Sequence, residues 1–370
     1  MSAVAASDGL HVRIVGTGLI GASLGMALSR NGFQVSLDDP SPTAAALARD
    51  LGAGALAADT VGVPDLVVVA APPDVVAEVV ARELLQWPNA VVTDAASVKG
   101  SVLSALQDRG LDLTRYVGSH PMAGREKSGA VAAQADLFEG RSWVVAPGPQ
   151  ADPGATELVR QVAAAVGSAV LVMTPAEHDA AVAAVSHVPQ IAASLVATQL
   201  LDLPSSAVAL SGQGIRDVTR IAASDPSMWT QILVGNAPAV RDVLESLAAR
   251  LDAVLDALRH LESGSERATV GARAVLARTV ADGNAGHARI PGKHGAAPTA
   301  YATVVVVVPD EPGALGRLLR DVGDAGVNME DLHLEHGVGQ PFGLAELSVL
   351  PASISPLMTA LGSLGWRVHG

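Results

Sequence analysis

The sequence predicts an α/β protein of three parts: a parallel-sheet domain, an all-helical domain and a small βαββαβ domain. Three observations carry that reading. Apolar strand-like runs alternate with Ala-rich helical stretches from His11 to Met173, as in a parallel sheet covered by helices. From Pro175 to about Leu261 helical patterning stands alone. After Tyr301 the order becomes strand, helix, strand, strand, helix, strand, a ferredoxin-like arrangement.

In the first part, strands are expected at His11 to Val15, Gln34 to Leu37, Asp65 to Ala70, Ala90 to Thr93, Tyr116 to Gly118, Ser142 to Ala146 and Ala169 to Met173. The first strand ends in Gly16-Thr17-Gly18-Leu19-Ile20-Gly21, which opens a helix. Glycines let such a turn close and let a pyrophosphate approach the backbone, while the helix N-terminus offers amide donors and positive dipole. The second strand ends at Leu37-Asp38-Asp39, where a carboxylate accepts from a ribose 2′-hydroxyl and repels a 2′-phosphate. Strand phase leaves both Asp38 and Asp39 open for that role. Three glycines alone also serve a plain strand-to-helix turn. The coincidence of strand, spacing, helix and acidic strand end points instead to a Rossmann-like dinucleotide-binding domain over residues 1–174, taking NAD in preference to NADP. Ala71-Pro72, after the third buried strand, lies where such folds pass the chain beside the cofactor, a weaker signal.

The helical part, residues 175–280, carries helices more apolar than a solvent-washed bundle needs, so a buried subunit interface and a homodimer are expected. Asp225-Pro226 reads as an N-cap followed by proline in the first helical turn. Residues 281–300, ADGNAGHARIPGKHGAAPTA, are Gly-, Ala- and Pro-rich without periodicity and read as a linker. In residues 301–370 the elements are strand Ala302 to Val308, helix Gly313 to Ala325, strands Val327 to Leu334 and Leu344 to Leu350, helix Ser355 to Leu364 and a short strand Trp366 to Val368.

Twenty-four basic against thirty-seven acidic residues give a formal charge of −13, which opposes nucleic acid and anionic lipid in the absence of a basic patch. An anionic substrate therefore needs a site that concentrates its own arginines. The longest apolar runs fall short of the ~18 residues of a membrane span, so none is expected. Met1 to Gly9 has no basic or extended apolar stretch, and there are no cysteines; both fit a cytoplasmic protein.

Three polar clusters offer chemistry: Thr93 to Gly100, Gly118 to Gly124, and Gly214 to Arg220. The first two follow expected strands, and ligands of open α/β sheets bind beyond the carboxyl ends of strands. Ser97 and His120 are thus placed where a substrate meets nicotinamide. His120, between glycine-flanked turns and fixed by Pro121, suits a general base near pH 7. For Ser97, capping the helix that follows weighs evenly against a catalytic role. Arg216 and Arg220, four apart, share a helix face and form a carboxylate clamp; an ion pair with Asp217 or Glu126 is the rival. His187 and Gln190 share a face beside Pro189, which should kink the helix, although a buried, backbone-satisfied histidine is the plainer reading of His187. His333 and His336 point to opposite faces of a strand, His287 and His294 lie in the linker, and no metal site is expected.

The stretches VGTGLIGASLG, DAASVKG, GSHPMAGREKSG, HDAAVAAVSHVPQ and GIRDVTRIAASDPSMW, in this order from about His11 to Leu261, resemble the prephenate/arogenate dehydrogenase family. VPDEPGALGRLL with GVNMEDL, from Val308 to Leu332, resembles an ACT regulatory domain. The likeness implies NAD-dependent oxidative decarboxylation of prephenate to 4-hydroxyphenylpyruvate. It implies that His120 accepts the ring-hydroxyl proton, that Ser97 orients that hydroxyl and His120, that Arg220 binds a substrate carboxylate, and that Glu126 pairs with Arg220. Arg125 sits where other members often carry a smaller residue. Some members have histidine where this chain has Gln190, and a neutral amide there favours prephenate over the ammonium-bearing arogenate. In the ACT-like part, Asp310, Gly313 and Asn328 occupy positions where such domains bind amino acids, which implies tyrosine as a feedback effector; a dimer contact without ligand is the alternative.

Two rivals differ in kind. One is an arogenate dehydrogenase giving tyrosine directly. The other is a catalytically silent sensor of NAD and an amino acid, against which the joint retention of Ser97, His120 and Arg220 argues. A different β-hydroxyacid or imine dehydrogenase would share the glycine loop but not the HPMAG stretch.

Overall fold

Strand β1 (His11–Val15) is buried at all five positions, His11 and Arg13 included, as a central parallel strand covered on both faces requires. The computed structural model describes residues 9–124, 129–262, 266–291, 301–336 and 340–370, which form two compact units, residues 1–250 and 251–370.

In the first unit β1 is followed by α1 (Leu19–Arg30), β2 (Gln34–Asp38), α2 (Pro42–Asp50), β3 (Ala55–Leu56), β4 (Leu66–Val69), α3 (Val76–Gln86), β5 (Val91–Asp94), α4 (Gly100–Asp108), β6 (Tyr116–Pro121), β7 (Ser142–Pro147), α5 (Pro153–Ala165) and β8 (Ala169–Val172). The sheet order is β3-β2-β1-β4-β5-β6-β7-β8. The chain reverses its winding between β1 and β4, which opens a crevice at their carboxyl ends. One core face gathers Ile14, Leu24, Leu28, Phe138 and Trp143, the other Val67, Val80, Leu84 and Leu106.

The expected all-parallel sheet needs one correction: β7 runs antiparallel to β6, and β8 then lies parallel to β7. A parallel return needs a crossover helix, and between β6 and β7 the described residues offer only a 3₁₀ turn at Ala130–Ala132. Pairing with β7 also lengthens β6 beyond Gly118, so His120 lies within a strand, opposite Val144, and not in a turn.

Helices follow: α6 (Pro175–Val182), a π-helical turn (Ala183–His187), α7 (Val188–Thr198), α8 (Ser205–Val208), α9 (Gln213–Thr219), a 3₁₀ turn (Arg220–Ala222), α10 (Pro226–Gly235) and α11 (Ala237–Glu262). Thr174 and Glu177 close a reciprocal capping box on α6, and Asp225 caps α10 at the Met228 amide. The kink expected at Pro189 takes the form of the π turn. Proline lacks the amide and crowds the carbonyl four residues earlier, and a widened turn relieves both.

By length and composition alone the run Pro175–Thr198 is apolar enough to cross a membrane. Its polar residues His178, Asp179, His187 and Gln190 are nevertheless buried within this unit, where they bond to neighbouring elements. Large aliphatics on the helices, among them Val185, Leu201, Leu210 and Val234, are exposed.

In the second unit α12 (Glu266–His287) runs through residues expected to begin the linker. That corrects the linker reading for 281–287, His287 included; Gly292 onward to residue 300, with His294, lies outside the described residues. The remaining elements are β9 (Ala302–Pro309), α13 (Ala314–Asp324), β10 (Met329–His336), β11 (Phe342–Val349), α14 (Ile354–Ser363) and β12 (Arg367–His369). The sheet order β10-β11-β9-β12 is fully antiparallel. Val304, Val306, Leu318, Leu347 and Leu357 form its core. The βαββαβ expectation is met element by element.

Candidate active site

The glycine loop is built for two different reasons. Gly16 has φ +99°, and a Cβ there would stand 2.4 Å from the Ala70 carbonyl oxygen. At Gly21 it would stand 1.9 Å from the Gly16 oxygen. These two close the β1–α1 turn against Ala70 and Ala71, beside Pro72. Gly18 differs: its φ is −70° and a Cβ would meet nothing within 4 Å. Nothing in the chain requires glycine there, whereas a pyrophosphate at the uncapped N-terminus of α1 does. The loop therefore fits a dinucleotide, with the amides of Leu19, Ile20 and Gly21 in the first helical turn.

The two aspartates separate clearly. Asp38 pairs with the Arg13 guanidinium at 2.6 Å, and Arg13 also reaches buried Glu83 at 3.1 Å. The Asp39 carboxylate instead turns to the glycine loop, accepting from the Thr17 amide at 2.7 Å and the Thr17 hydroxyl at 2.9 Å. Of the two, Asp39 is the one bonded to the glycine loop.

At the carboxyl ends of β5 and β6 sits a chain of ionisable groups. His120 Nδ1 lies 2.9 Å from His178 Nε2, and His178 Nδ1 lies 2.8 Å from Asp179 Oδ1. The Asp179 carboxylate also accepts from the Lys99 amide at 2.9 Å and the Gly100 amide at 2.8 Å. It thereby caps α4 from about eighty residues away. A Cβ on Gly100 would collide with that carboxylate. Ser97 does not cap α4; it is half-buried with no hydrogen-bond partner among the described residues. Beneath them, the fully buried Lys99 ammonium donates to Asp94 and, at 2.7 Å, to the Ser119 carbonyl, while Tyr116 donates to Asp94 at 2.7 Å. Gly118 leaves room for the Lys99 stem.

Burial holds the His120 imidazole well below its usual pKa, and the neighbouring His178, Lys99 and His187 act in the same direction. The ring is therefore neutral and proton-accepting at neutral pH. Burial pushes Asp179 up, but bonds from His178 and the Lys99 and Gly100 amides outweigh it and keep the carboxyl below the ordinary range. Burial also lowers Lys99, against the attraction of Asp94.

His187 is two per cent exposed, buried as expected, but its partner is a side chain and not the backbone. Its Nδ1 faces the Asn236 amide at 3.1 Å, and the same amide nitrogen donates to the Asp179 carbonyl at 2.8 Å. Gln190 is buried, with its oxygen 3.5 Å from the Ser224 hydroxyl. Helix α7 packs on α9 and the following turn, which brings Gln190 to the segment carrying Arg216 and Arg220. Both arginines are exposed and have no ion pair among the described residues. The rival pairing of Arg216 with Asp217 is absent, because that carboxylate accepts from Gln213. Arg125 and Glu126 lie outside the described residues. His178, Asp179 and Lys99 went unrecognised in the sequence as site residues. Two adjacent ionisable residues at the start of a long apolar helix were the available signal.

Hydride transfer to a nicotinamide calls for a loop that admits a pyrophosphate and a neutral imidazole at the carboxyl ends of strands of one sheet, and these place the chain among nicotinamide-dependent dehydrogenases. Residues 24–173 match the family described as "Prephenate dehydrogenase, nucleotide-binding domain", and residues 174–267 match "Prephenate dehydrogenase, dimerization domain". The chain belongs to the prephenate dehydrogenase family. It is 36% identical to the Streptomyces niveus protein named "Probable prephenate dehydrogenase NovF" over 96% of this chain and 98% of that one. It is 28% identical to a prephenate dehydrogenase of Bacillus subtilis (strain 168), over 83% of each chain. Among solved structures it is similar to prephenate dehydrogenase from A. aeolicus in complex with hydroxyphenyl propionate and NAD+, with 30% identity, a TM-score of 0.61, and coverage of 73% of this chain and 97% of that one.

Proposed function

We propose that the chain catalyses the NAD-dependent oxidative decarboxylation of prephenate to 4-hydroxyphenylpyruvate. The observation that carries this is the His120 imidazole, neutral and bonded through Nδ1, near the carboxyl end of β6 in the sheet whose β1 carries the glycine loop. NAD, when bound, supplies the hydride acceptor. His120 takes the proton of the ring hydroxyl as the carbon beneath it gives up hydride. Loss of the ring carboxylate as carbon dioxide then makes the ring aromatic, and the borrowed proton returns to the phenolic oxygen. Ser97 orients the hydroxyl, Arg220 with Arg216 holds substrate carboxylate, and Gln190 offers a neutral amide. Supplying position and one proton acceptor is most of the enzyme's task.

The exposed aliphatics of the helical segment support a homodimer. The βαββαβ unit, with Asp310 and Gly313 in the loop from β9 to α13 and Asn328 before β10, supports an ACT-type regulatory domain that takes tyrosine.

The test follows NADH absorbance with prephenate and with arogenate, each with and without tyrosine. Turnover on prephenate, inhibited by tyrosine, is expected. Turnover on arogenate alone overturns the substrate, no turnover on either overturns the enzyme reading, and indifference to tyrosine removes the effector alone. His120→Asn should lower kcat about 10² to 10⁴-fold with NAD binding intact.

A further inference from the structure

Between His120 and Asp179 stands a second histidine for which proton abstraction by a single imidazole has no use. His178 is fully buried, at the N-terminal end of α6. Its two ring nitrogens are both engaged, Nδ1 with the Asp179 carboxylate and Nε2 with His120 Nδ1. The two rings meet edge to face, with centroids 5.2 Å apart and planes 74° from each other. A carboxylate only accepts hydrogen bonds, so His178 Nδ1 carries a hydrogen. A neutral imidazole has one N–H, which leaves His178 Nε2 as an acceptor. The hydrogen in the contact to His120 then belongs to His120 Nδ1, and His120 Nε2 is left with its lone pair.

We propose that His178, backed by Asp179, is a positioning residue that locks His120 in the tautomer whose free lone pair is on Nε2, the nitrogen that receives the substrate proton. This rests on the reading of His120 as the base. When the proton arrives on Nε2, the Nδ1–H of the new imidazolium stays bonded to His178, and the positive charge faces Asp179 through that ring. No covalent bond other than the hydroxyl O–H and the new N–H changes in this step. The placement of Asp179 is itself fixed by the Lys99 and Gly100 amides and, through its carbonyl, by Asn236. The Asp179 end of the array is thus held by two backbone amides and one side-chain amide. The ionisable groups around His120 are His178 and Asp179 on α6, Lys99 with its partner Asp94 on the β5 side, and His187 on the π turn.

Two variants and one direct measurement test this on the full chain. His178→Leu removes the acceptor and should lower kcat about 10²-fold. NAD affinity and the KM for prephenate should hold. The acid limb of kcat/KM should shift, because the Nδ1–H of His120 loses its partner while burial and the Lys99 charge remain. His178→Gln places an amide oxygen near the position of Nε2 and should restore most of kcat and the original limb. A purely structural role would move neither the limb nor the rescue. In the wild-type protein with NAD bound, ¹⁵N shifts of ring-labelled histidine, assigned by the signal lost in His120→Asn, should show His120 protonated at Nδ1. Protonation at Nε2 overturns the proposal whatever the variants do. So does an unchanged kcat and pH profile in His178→Leu while His120→Asn is inactive; turnover by His120→Asn would instead remove the base reading itself.

Discussion

The buried ammonium of Lys99 donates to the backbone carbonyl of Ser119, the residue before His120, at 2.7 Å. One side chain from the β5–α4 connection thus fixes the strand that presents the imidazole, while its own backbone amide binds Asp179. Lys99→Met should leave Asp94 as an uncompensated buried charge and destabilise the fold by about 3 to 5 kcal/mol. Urea unfolding followed by circular dichroism measures this; a loss below 1 kcal/mol would show that the pair contributes little.

The depressed pKa of His120 fixes the direction of two pH effects. With His120 as the proposed base, catalysis needs the neutral ring, so kcat/KM should stay level through pH 7 and fall only below the ordinary histidine value of about 6.5. Stability moves the same way. In the unfolded chain the ring binds a proton at about pH 6.5, while the folded chain resists protonation until lower pH, so the unfolded state holds more protons in that window and stability declines as pH falls through it. A pH–rate profile with its acid limb above 6.5 would contradict this assignment.

Gly18 and Gly21 should respond differently to the same added methyl group. Gly18→Ala meets open space and should change stability by no more than about 0.5 kcal/mol. Its NAD dissociation constant should nevertheless rise at least about tenfold, ~1.4 kcal/mol. Gly21→Ala drives a methyl into the Gly16 carbonyl and should lose stability and NAD binding together. Thermal unfolding and NAD titration by calorimetry separate the two.

The aspartates divide in the same manner. Asp39→Ser should shift kcat/KM toward NADP by about tenfold or more, because the carboxylate that faces the loop and repels a 2′-phosphate is gone. Asp38→Asn should leave the cofactor preference in place, since Asp38 is already taken by Arg13. Comparing both cofactors with both variants checks it, and the reverse pattern would exchange their roles.

Much of this fold was legible because burial on both faces writes itself as continuous apolar runs, and the strands from His11 to Val172 stand close to where those runs fall. What was not legible depends on partners distant in sequence. The antiparallel entry of β7 leaves no mark within SWVVAP, because an inward-facing strand has the same composition in either direction. The last turns of α12 are exposed and Gly- and Ala-rich, so no apolar stripe distinguishes them from a linker. In the site, His120 was legible from its address at a strand end. Its array was not, because the His120–His178 bond joins residues 58 apart, and a short polar pair in an apolar helix reads as surface. The choice between Asp38 and Asp39 turned on Arg13, whose position inside β1 gave no hint of an ion pair at the end of β2.

The π turn at Ala183–His187 acts as an indexing device along an otherwise α-helical run. One extra residue in a turn advances the helix by about 100° relative to an uninterrupted one. The start of the run is thereby phased toward the sheet, where His178 and Asp179 meet His120 and the α4 amides. Its continuation is phased toward Ser224, which Gln190 addresses. Deleting a single residue within the turn would leave both halves helical and chemically intact, yet rotate one set of polar groups out of register with the other. The spacing between the His178–Asp179 pair and Gln190 is therefore set by a count of residues as much as by their identity.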